Sequence, residues 1–152
     1  MALQFISSGD GRAAIGSDTA TGERGFLVKI VNRTGESSVK GKVVSASTTA
    51  DNEAILQTNE YDAFGVIQQA GVAQGSEMWV WVTGSICQVL FESGVTPTRG
   101  YVAICSDVDG RADQFSNPGN GLPAVDIHFK EIGHILQTGS AGGLALVTLH
   151  FN

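Results

Sequence analysis

Short runs of apolar and β-branched residues, separated by turn-forming residues, recur along most of this chain. The separating clusters are rich in Gly, Asn, Asp and Ser, and the 152 residues include 20 glycines. Runs of this length with such boundaries are typical of strands in a β-sandwich or a small barrel. The sequence therefore predicts an all-β fold, a small β-barrel or sandwich, with one core. The runs lie at residues 26–31, 39–44, 64–67, 78–83, 86–91, 101–105, 132–136 and 144–151.

The first 25 residues differ from the rest of the chain. They are rich in Gly, Ser, Thr and Ala, and they show no sustained apolar period after Phe5 and Ile6. This composition predicts an extended N-terminal arm, residues 1–25, followed by a single β domain, residues 26–152. Large apolar side chains such as Phe5 and Ile6 are unfavourable in a segment that stays exposed to water. We therefore expect the arm to be mobile in the free protein and to become ordered against another protein by adding a strand to a sheet.

Two segments interrupt the strand pattern. Residues 50–57 combine a possible cap, Asp51, with good helix formers, which favours one or two helical turns, but a loop fits equally well. Residues 107–123 form a long polar stretch. Loops of that length in compact domains tend to be functional surfaces or flexible tips.

Two parts of the chain align with each other when one is shifted by 68 positions. The identical residues fall at alternate positions, which is the period of an extended strand. Each copy then runs into a strongly apolar strand. We interpret the pattern as one strand–turn–strand unit used twice. The matched pairs are Gly65 and Gly133, Ile67 and Ile135, Gln69 and Gln137, Gly71 and Gly139, Ala73 and Ala141, and Gly75 and Gly143.

The histidines in the last third of the chain raise the question of a metal site. His128 and His134 flank Glu131 and are six residues apart. In a strand, side chains at that spacing share a face but lie about 20 Å apart, too far for one ion. His134 also shares its face with apolar residues, which favours a part-buried, hydrogen-bonded histidine. We expect no metal at these residues.

The other chemical motifs are incomplete. Asp107, Asp109 and Asp113 surround Gly110, but a calcium loop needs a third alternating ligand and a closing glutamate, so we interpret this segment as a turn. The chain contains no nucleophile elbow and no phosphate loop. The sequence therefore predicts no catalytic residues, no cofactor and no enzymatic activity.

Charge and cysteine content limit the possible partners. The net charge is −6 and the nine basic residues are scattered, which argues against nucleic-acid binding. No apolar stretch of about 18 residues predicts a membrane span, and the N-terminus does not resemble a signal peptide, so we expect cytoplasmic synthesis. Cys87 and Cys105 fit no metal or redox spacing and are expected to be reduced core residues. Only 16% of residues are charged, which suggests a surface partly covered by other chains.

Trp79 and Trp81 alternate with Met78, Val80 and Val82, so the two sets lie on opposite faces of a strand. Both faces of this strand are therefore predicted to be buried. The tryptophan face could be covered by the second half of the domain, by a neighbouring subunit or by a planar ligand such as a sugar. Because large aromatic side chains anchor interfaces, Trp79 and Trp81 are a candidate subunit interface.

Six segments between residues 60 and 152 share one further feature, and they are residues 63–67, 71–84, 94–100, 106–113, 128–134 and 149–152. Together they resemble a family of tailed-bacteriophage structural proteins. The family comprises small capsid decoration proteins, also called head-stabilisation or cement proteins. Turn glycines and strand residues carry the resemblance, and the first 60 residues match only in general character.

The resemblance implies a β-tulip-like module that sits as a homotrimer on the outside of the expanded capsid. It implies the major capsid protein as partner, with an N-terminal arm that pairs with capsid strands and hence with Phe5 and Ile6 as contact residues. It also implies a location on the virion exterior and a role in stabilising the shell. Because the matching residues are structural, they indicate fold more firmly than role. A head-fibre or tail-associated module that binds a receptor or carbohydrate is the alternative.

Overall fold

The protein is described from a computed structural model, which covers residues 4–58, 62–116 and 129–151. These residues form an all-β fold, as predicted, with Phe129 and Lys130 in helical conformation just before the eleventh strand. The strands are β1 (Gln4–Ser7), β2 (Ala13–Asp18), β3 (Glu23–Asn32), β4 (Val43–Ala46), β5 (Glu53–Leu56), β6 (Ala63–Ile67), β7 (Glu77–Val82), β8 (Ile86–Leu90), β9 (Val102–Cys105), β10 (Ala112–Phe115), β11 (Glu131–Ile135) and β12 (Leu144–Leu149).

Five strands close into a small barrel. Their order is β3-β5-β4-β6-β7, and the pairing of β3 with β7 closes the ring. Each barrel strand contributes apolar side chains to one cluster, and a cluster supplied by every strand of a closed ring is its interior. The buried members are Val44, Ala54, Ile67, Met78 and Val80, with Val28 and Ile30 of β3 packed against them.

The other strands extend the sheet away from the barrel. β8 joins β3 through the pair Arg24 and Ile86, and the order then continues through β12, β11, β9 and β10. A bridge between Phe91 and Ala112 brings the two ends of this second group together. The larger core lies between the group and the outer face of the barrel. Its largest members are Trp81, Phe91, Leu27, Ile132, Ile135 and Leu149.

Strand β7 is buried on both faces, which confirms the prediction from its alternating sequence. Met78 and Val80 lie inside the barrel, whereas Trp81 belongs to the larger core and Trp79 packs against it. β7 is therefore the strand through which the two cores meet.

The internal repeat forms the same structural unit twice. When the bounds of β6 are moved by 68 positions they coincide with those of β11, and each strand pairs antiparallel with the apolar strand that follows it. The first matched glycine of each copy lies where the partner strand approaches closely. A Cβ atom at Gly65 would lie 2.4 Å from Val80 Cγ1, and one at Gly133 would lie 1.8 Å from the Thr148 carbonyl oxygen. Close packing of the strands thus explains why both positions are glycine.

The prediction that residues 1–25 form an extended arm separate from the β domain is wrong for the described residues 4–25. β1 and β2 form a hairpin, and β2 pairs with β3 along its whole length. The expected boundary after residue 25 therefore falls inside β3. β2 is part of the sheet without a run of large apolar residues, because its inward residues, Ala14 and Gly16, are small enough to fit beneath Leu27 and Trp81. A Cβ atom at Gly16 would lie only 2.6 Å from Leu27 Cδ1.

Two further expectations need correction. Residues 50–57 contain no helix but strand β5, which pairs parallel with β3 and antiparallel with β4. Pairing on both sides outweighs the weak helical preference of its residues. The predicted polar loop at residues 107–123 contains strand β10, paired with β9, and its residues 117–123 lie outside the described part of the chain.

The two cysteines are buried and unpaired, as predicted. Burial raises the pKa of the Cys105 thiol to about 12 and raises that of Cys87 well above its ordinary value. The thiolate is the reactive form of cysteine, so neither side chain should react in the folded state. We expect no reaction with Ellman's reagent at about pH 8, and two reactive thiols per chain once urea unfolds the protein. Rapid release of the dye by the folded protein would contradict this arrangement.

Candidate functional site

The N-terminal hairpin carries a row of exposed apolar side chains. Ile6 of β1 lies opposite Ile15 of β2, and Ile15 lies opposite Phe26 of β3. Their exposed fractions are 75%, 54% and 52%, respectively. We call these three side chains the hairpin surface. Together with Ser8 and Ala13 they line a shallow depression, so the row is a continuous apolar patch across three strands.

The outward direction of this row follows from the inward packing of β2. Successive side chains of a strand point to opposite faces. Because the small residues Ala14 and Gly16 face the core, Ile15 must face outward between them. The large apolar residue of β2 is thus on the surface and the small ones are inside, the reverse of the usual arrangement.

Strand β1 also presents an edge. Of the described strands, only β2 pairs with it. Proteins usually protect such edges with charged residues, proline or a bulge, but the sequence of β1, QFIS, contains neither charge nor proline. An unprotected edge beside an apolar patch is suited to accept a strand from another chain.

Both residues of the predicted capsid-contact arm lie in β1. Ile6 belongs to the hairpin surface, and the backbone of Phe5 pairs with Gly16. Their placement in a hairpin, and not in a separate tail, changes how they would meet a partner. Their predicted role as contacts with a capsid protein stays a prediction.

The predicted subunit interface is wrong for Trp81. This side chain is fully buried in the core of the single chain, so it cannot contact a second subunit or a sugar. Trp79 is half-buried, and the Lys29 ammonium lies 5.2 Å from the centre of its ring. Of the two tryptophans, only Trp79 can contribute to an interface.

A second candidate site brings together two histidines and a glutamate. His134 Nδ1 lies 2.6 Å from His150 Nε2, and the Glu131 Oε1 oxygen lies 3.3 Å from His150 Nε2 and 3.8 Å from His134 Nδ1. His128, the histidine that precedes His134 in the sequence motif, lies outside the described residues, and the histidine found beside His134 is His150. The signal that could have found His150 was the repeat, because it predicts that the strand of His134 pairs with the strand that ends beside His150.

The segment around Asp107 is a turn, as interpreted from the sequence. Asp109 and Gly110 form the turn, and the Gly110 amide donates to the Gln57 carbonyl oxygen. Burial raises the pKa of Asp113, and the neighbouring carboxylates Glu92 and Asp107 raise it further. Among the described residues, these acidic side chains do not belong to a cluster with metal-ligand geometry.

No protein-family model matches this chain, and no curated protein matches it. Within the described residues there is no helix with the length and apolar character needed to cross a membrane.

Proposed function

We propose that this protein is a viral structural protein that decorates the outer surface of an expanded tailed-phage capsid and stabilises the shell. The observation that carries the proposal is the hairpin surface beside the unprotected edge of β1. Exposed apolar patches of this kind mark binding surfaces for other proteins. The sequence resemblance to capsid decoration proteins supplies the kind of partner.

The attachment combines strand addition with burial of apolar side chains. A capsid strand that pairs with β1 would gain main-chain hydrogen bonds, while Ile6, Ile15 and Phe26 supply contact on one face of the extended sheet. Burying the exposed parts of these three side chains contributes about 4 kcal/mol. That energy alone corresponds to a dissociation constant of about 1 mM, which is too weak for a stable coat.

Trimerisation supplies the missing affinity in this proposal. When three linked copies bind one lattice, the second and third contacts become intramolecular, and avidity increases without any new type of contact. The half-buried Trp79 remains the candidate residue of the trimer interface. The net charge of −6 suits a position outside the shell, away from the genome.

Stabilisation of the shell follows from linkage. A ligand that binds only the expanded lattice lowers the free energy of that state relative to disassembly or to the unexpanded state. No catalytic step is needed. The alternative role in carbohydrate binding required an exposed aromatic platform, and the burial of Trp81 removes one of the two aromatic residues on which that role was based.

The proposal is tested with purified expanded capsids that lack this protein. We expect the unmodified chain to co-sediment with them, to bind unexpanded shells at least tenfold more weakly, and to be trimeric on the capsid. The double variant Ile15→Ser/Phe26→Ser should lose at least tenfold in affinity, since it removes most of the exposed apolar contact.

The matched control is Val108→Ser, which changes an apolar side chain that is 47% exposed in the turn after β9. It should bind as the unmodified protein does. Circular dichroism checks that each variant is folded. Equal binding by the double variant and the control would exclude the hairpin surface as the attachment site, and a stable dimer at all concentrations would exclude the trimer.

A further inference from the structure

The proximity of Glu131 and His134 depends on an irregularity in β11. In a regular strand, residues three positions apart point to opposite faces. Between Glu131 and Gly133, however, the register of β11 against β9 shifts: Glu131 lies opposite Ile104, and Gly133 lies opposite Ala103. Two steps along β11 thus match one step along β9, which is a β-bulge. The extra residue brings Glu131 to the same face as His134.

The neighbouring strand brings His150 to the same place. His134 lies opposite Thr148 of β12, and the backbone amide of His150 donates to the Ile132 carbonyl oxygen at 3.0 Å. His150 is therefore the diagonal neighbour of His134 across the two strands, within reach of its side chain. Two residues of β11 and one residue directly after β12 converge on one point of the surface.

We propose that Glu131, His134 and His150 form a binding site for a divalent transition-metal ion. One ligand atom from each of the three side chains lies within 4.8 Å of the others. Imidazole nitrogens with a carboxylate oxygen are a donor set suited to Zn²⁺, Ni²⁺, Cu²⁺ and Fe²⁺, and not to Mg²⁺ or Ca²⁺. Two histidines and one carboxylate also leave a coordination position open for water or a further ligand.

The two histidines need to move only slightly to hold an ion. In tetrahedral coordination with Zn–N distances of 2.0–2.1 Å, two ligand nitrogens lie about 3.3 Å apart. The nitrogens of His134 and His150 are 2.6 Å apart, so they must separate by less than about 1 Å. Both side chains have room for this movement, because they are 51% and 40% exposed. Glu131 is held more firmly, at 11% exposed, and provides the fixed point of the site.

An ion in this site would also hold the segment that follows β12 against β11. His150 follows the last residue of β12, where the described sheet ends. An ion shared between β11 and this segment binds the folded chain and not the unfolded one, so it raises the unfolding temperature. This proposal replaces the expectation of metal independence, which rested on the separation of His128 and His134 in one strand. It does not depend on the proposed capsid role.

The test uses the full chain without an affinity tag, freed of metal by a chelator and then dialysed. Isothermal titration calorimetry with Zn²⁺ should show a binding stoichiometry of one ion per chain. At a hundredfold excess over Kd, Zn²⁺ should raise the unfolding temperature by about 5–10 °C. Co²⁺ in place of Zn²⁺ should give visible absorption bands typical of low-symmetry, four-coordinate cobalt.

The variants separate this site from nonspecific binding. His134→Ala and His150→Ala should each weaken Zn²⁺ binding at least tenfold, and Glu131→Gln should weaken it severalfold. Glu36→Gln, which changes an exposed carboxylate elsewhere, should bind as the unmodified chain does. If an alanine variant fails to fold, the corresponding glutamine variant replaces it. Absence of binding at millimolar Zn²⁺, or unchanged binding in the His134→Ala/His150→Ala double variant, would overturn the proposal.

Discussion

Replacing Gly133 by alanine is expected to lower the free energy of unfolding by at least about 3 kcal/mol. The added Cβ atom would lie 1.8 Å from the Thr148 carbonyl oxygen and 3.2 Å from the Leu149 Cα atom. Both are backbone atoms of β12, so no change of side-chain rotamer can relieve the overlap. The strands β11 and β12 would have to separate at the end of their pairing, where Gly133 lies opposite Leu149. Urea unfolding monitored by tryptophan fluorescence measures the change.

Two comparisons make the result specific. At Gly9 a Cβ atom would meet nothing within 4 Å, so Gly9→Ala should change the stability by less than about 0.5 kcal/mol. Gly65→Ala should lie between the two variants, because its closest neighbour is the movable Val80 side chain, although the Trp81 carbonyl oxygen is also only 2.8 Å away. If Gly133→Ala unfolds at the same urea concentration as Gly9→Ala, then β11 and β12 do not approach as closely as described.

The sequence predicted the parts of the fold in which side-chain patterns decide the structure. The alternation around Trp79 and Trp81 predicted a strand buried on both faces, and β7 is such a strand. The shift of 68 positions predicted a strand–turn–strand unit used twice, and β6–β7 and β11–β12 form it. Both patterns have the two-residue period of an extended chain, which depends little on the partner strand.

The N-terminal hairpin was missed because its pattern is inverted. A strand is usually recognised by large apolar residues at alternate positions. In β2 the buried positions hold Ala14 and Gly16, while Ile15 is exposed. A composition rich in small residues therefore resembles a disordered arm, although the partner strand β3 makes it part of the sheet. Only the close packing beneath Leu27 reveals why small residues are needed.

The histidine cluster was missed for a different reason. Sequence spacing gives distances only along one strand, as between His128 and His134. The pair that the structure brings together, His134 and His150, is joined across two strands, so its distance depends on the register of β11 and β12. The bulge that adds Glu131 to the cluster leaves no sequence signal apart from Gly133.

Replacing Glu23 by glutamine is expected to lower the free energy of unfolding by about 3 kcal/mol. Glu23 is only 1% exposed, and its Oε2 accepts hydrogen bonds from Lys40 Nζ at 2.5 Å and from Thr21 Oγ1 at 2.9 Å. Its Oε1 accepts from the Gln88 amide of β8 at 3.1 Å. The single oxygen of glutamine can replace either Oε2 or Oε1, and its NH2 group then faces a donor at the other position. In either orientation the Lys40 ammonium loses the opposite charge. Because Lys40 is 26% exposed, water can solvate part of that charge, and the loss should lie at the low end for buried pairs.

A double-mutant cycle separates the ion pair from the other contacts of Glu23. Lys40→Met removes the ammonium but keeps most of the side-chain stem, so the double variant Glu23→Gln/Lys40→Met contains no unpaired charge. It should be more stable than the sum of the single variants predicts, by at least about 1 kcal/mol. The control is Glu53→Gln, whose carboxylate pairs with Arg33; the Arg33 side chain left behind is 48% exposed, so the change there should be less than about 1 kcal/mol. Equal losses for Glu23→Gln and Glu53→Gln, with no coupling in the cycle, would mean that Glu23 does not join β3 to β8 through a buried charge.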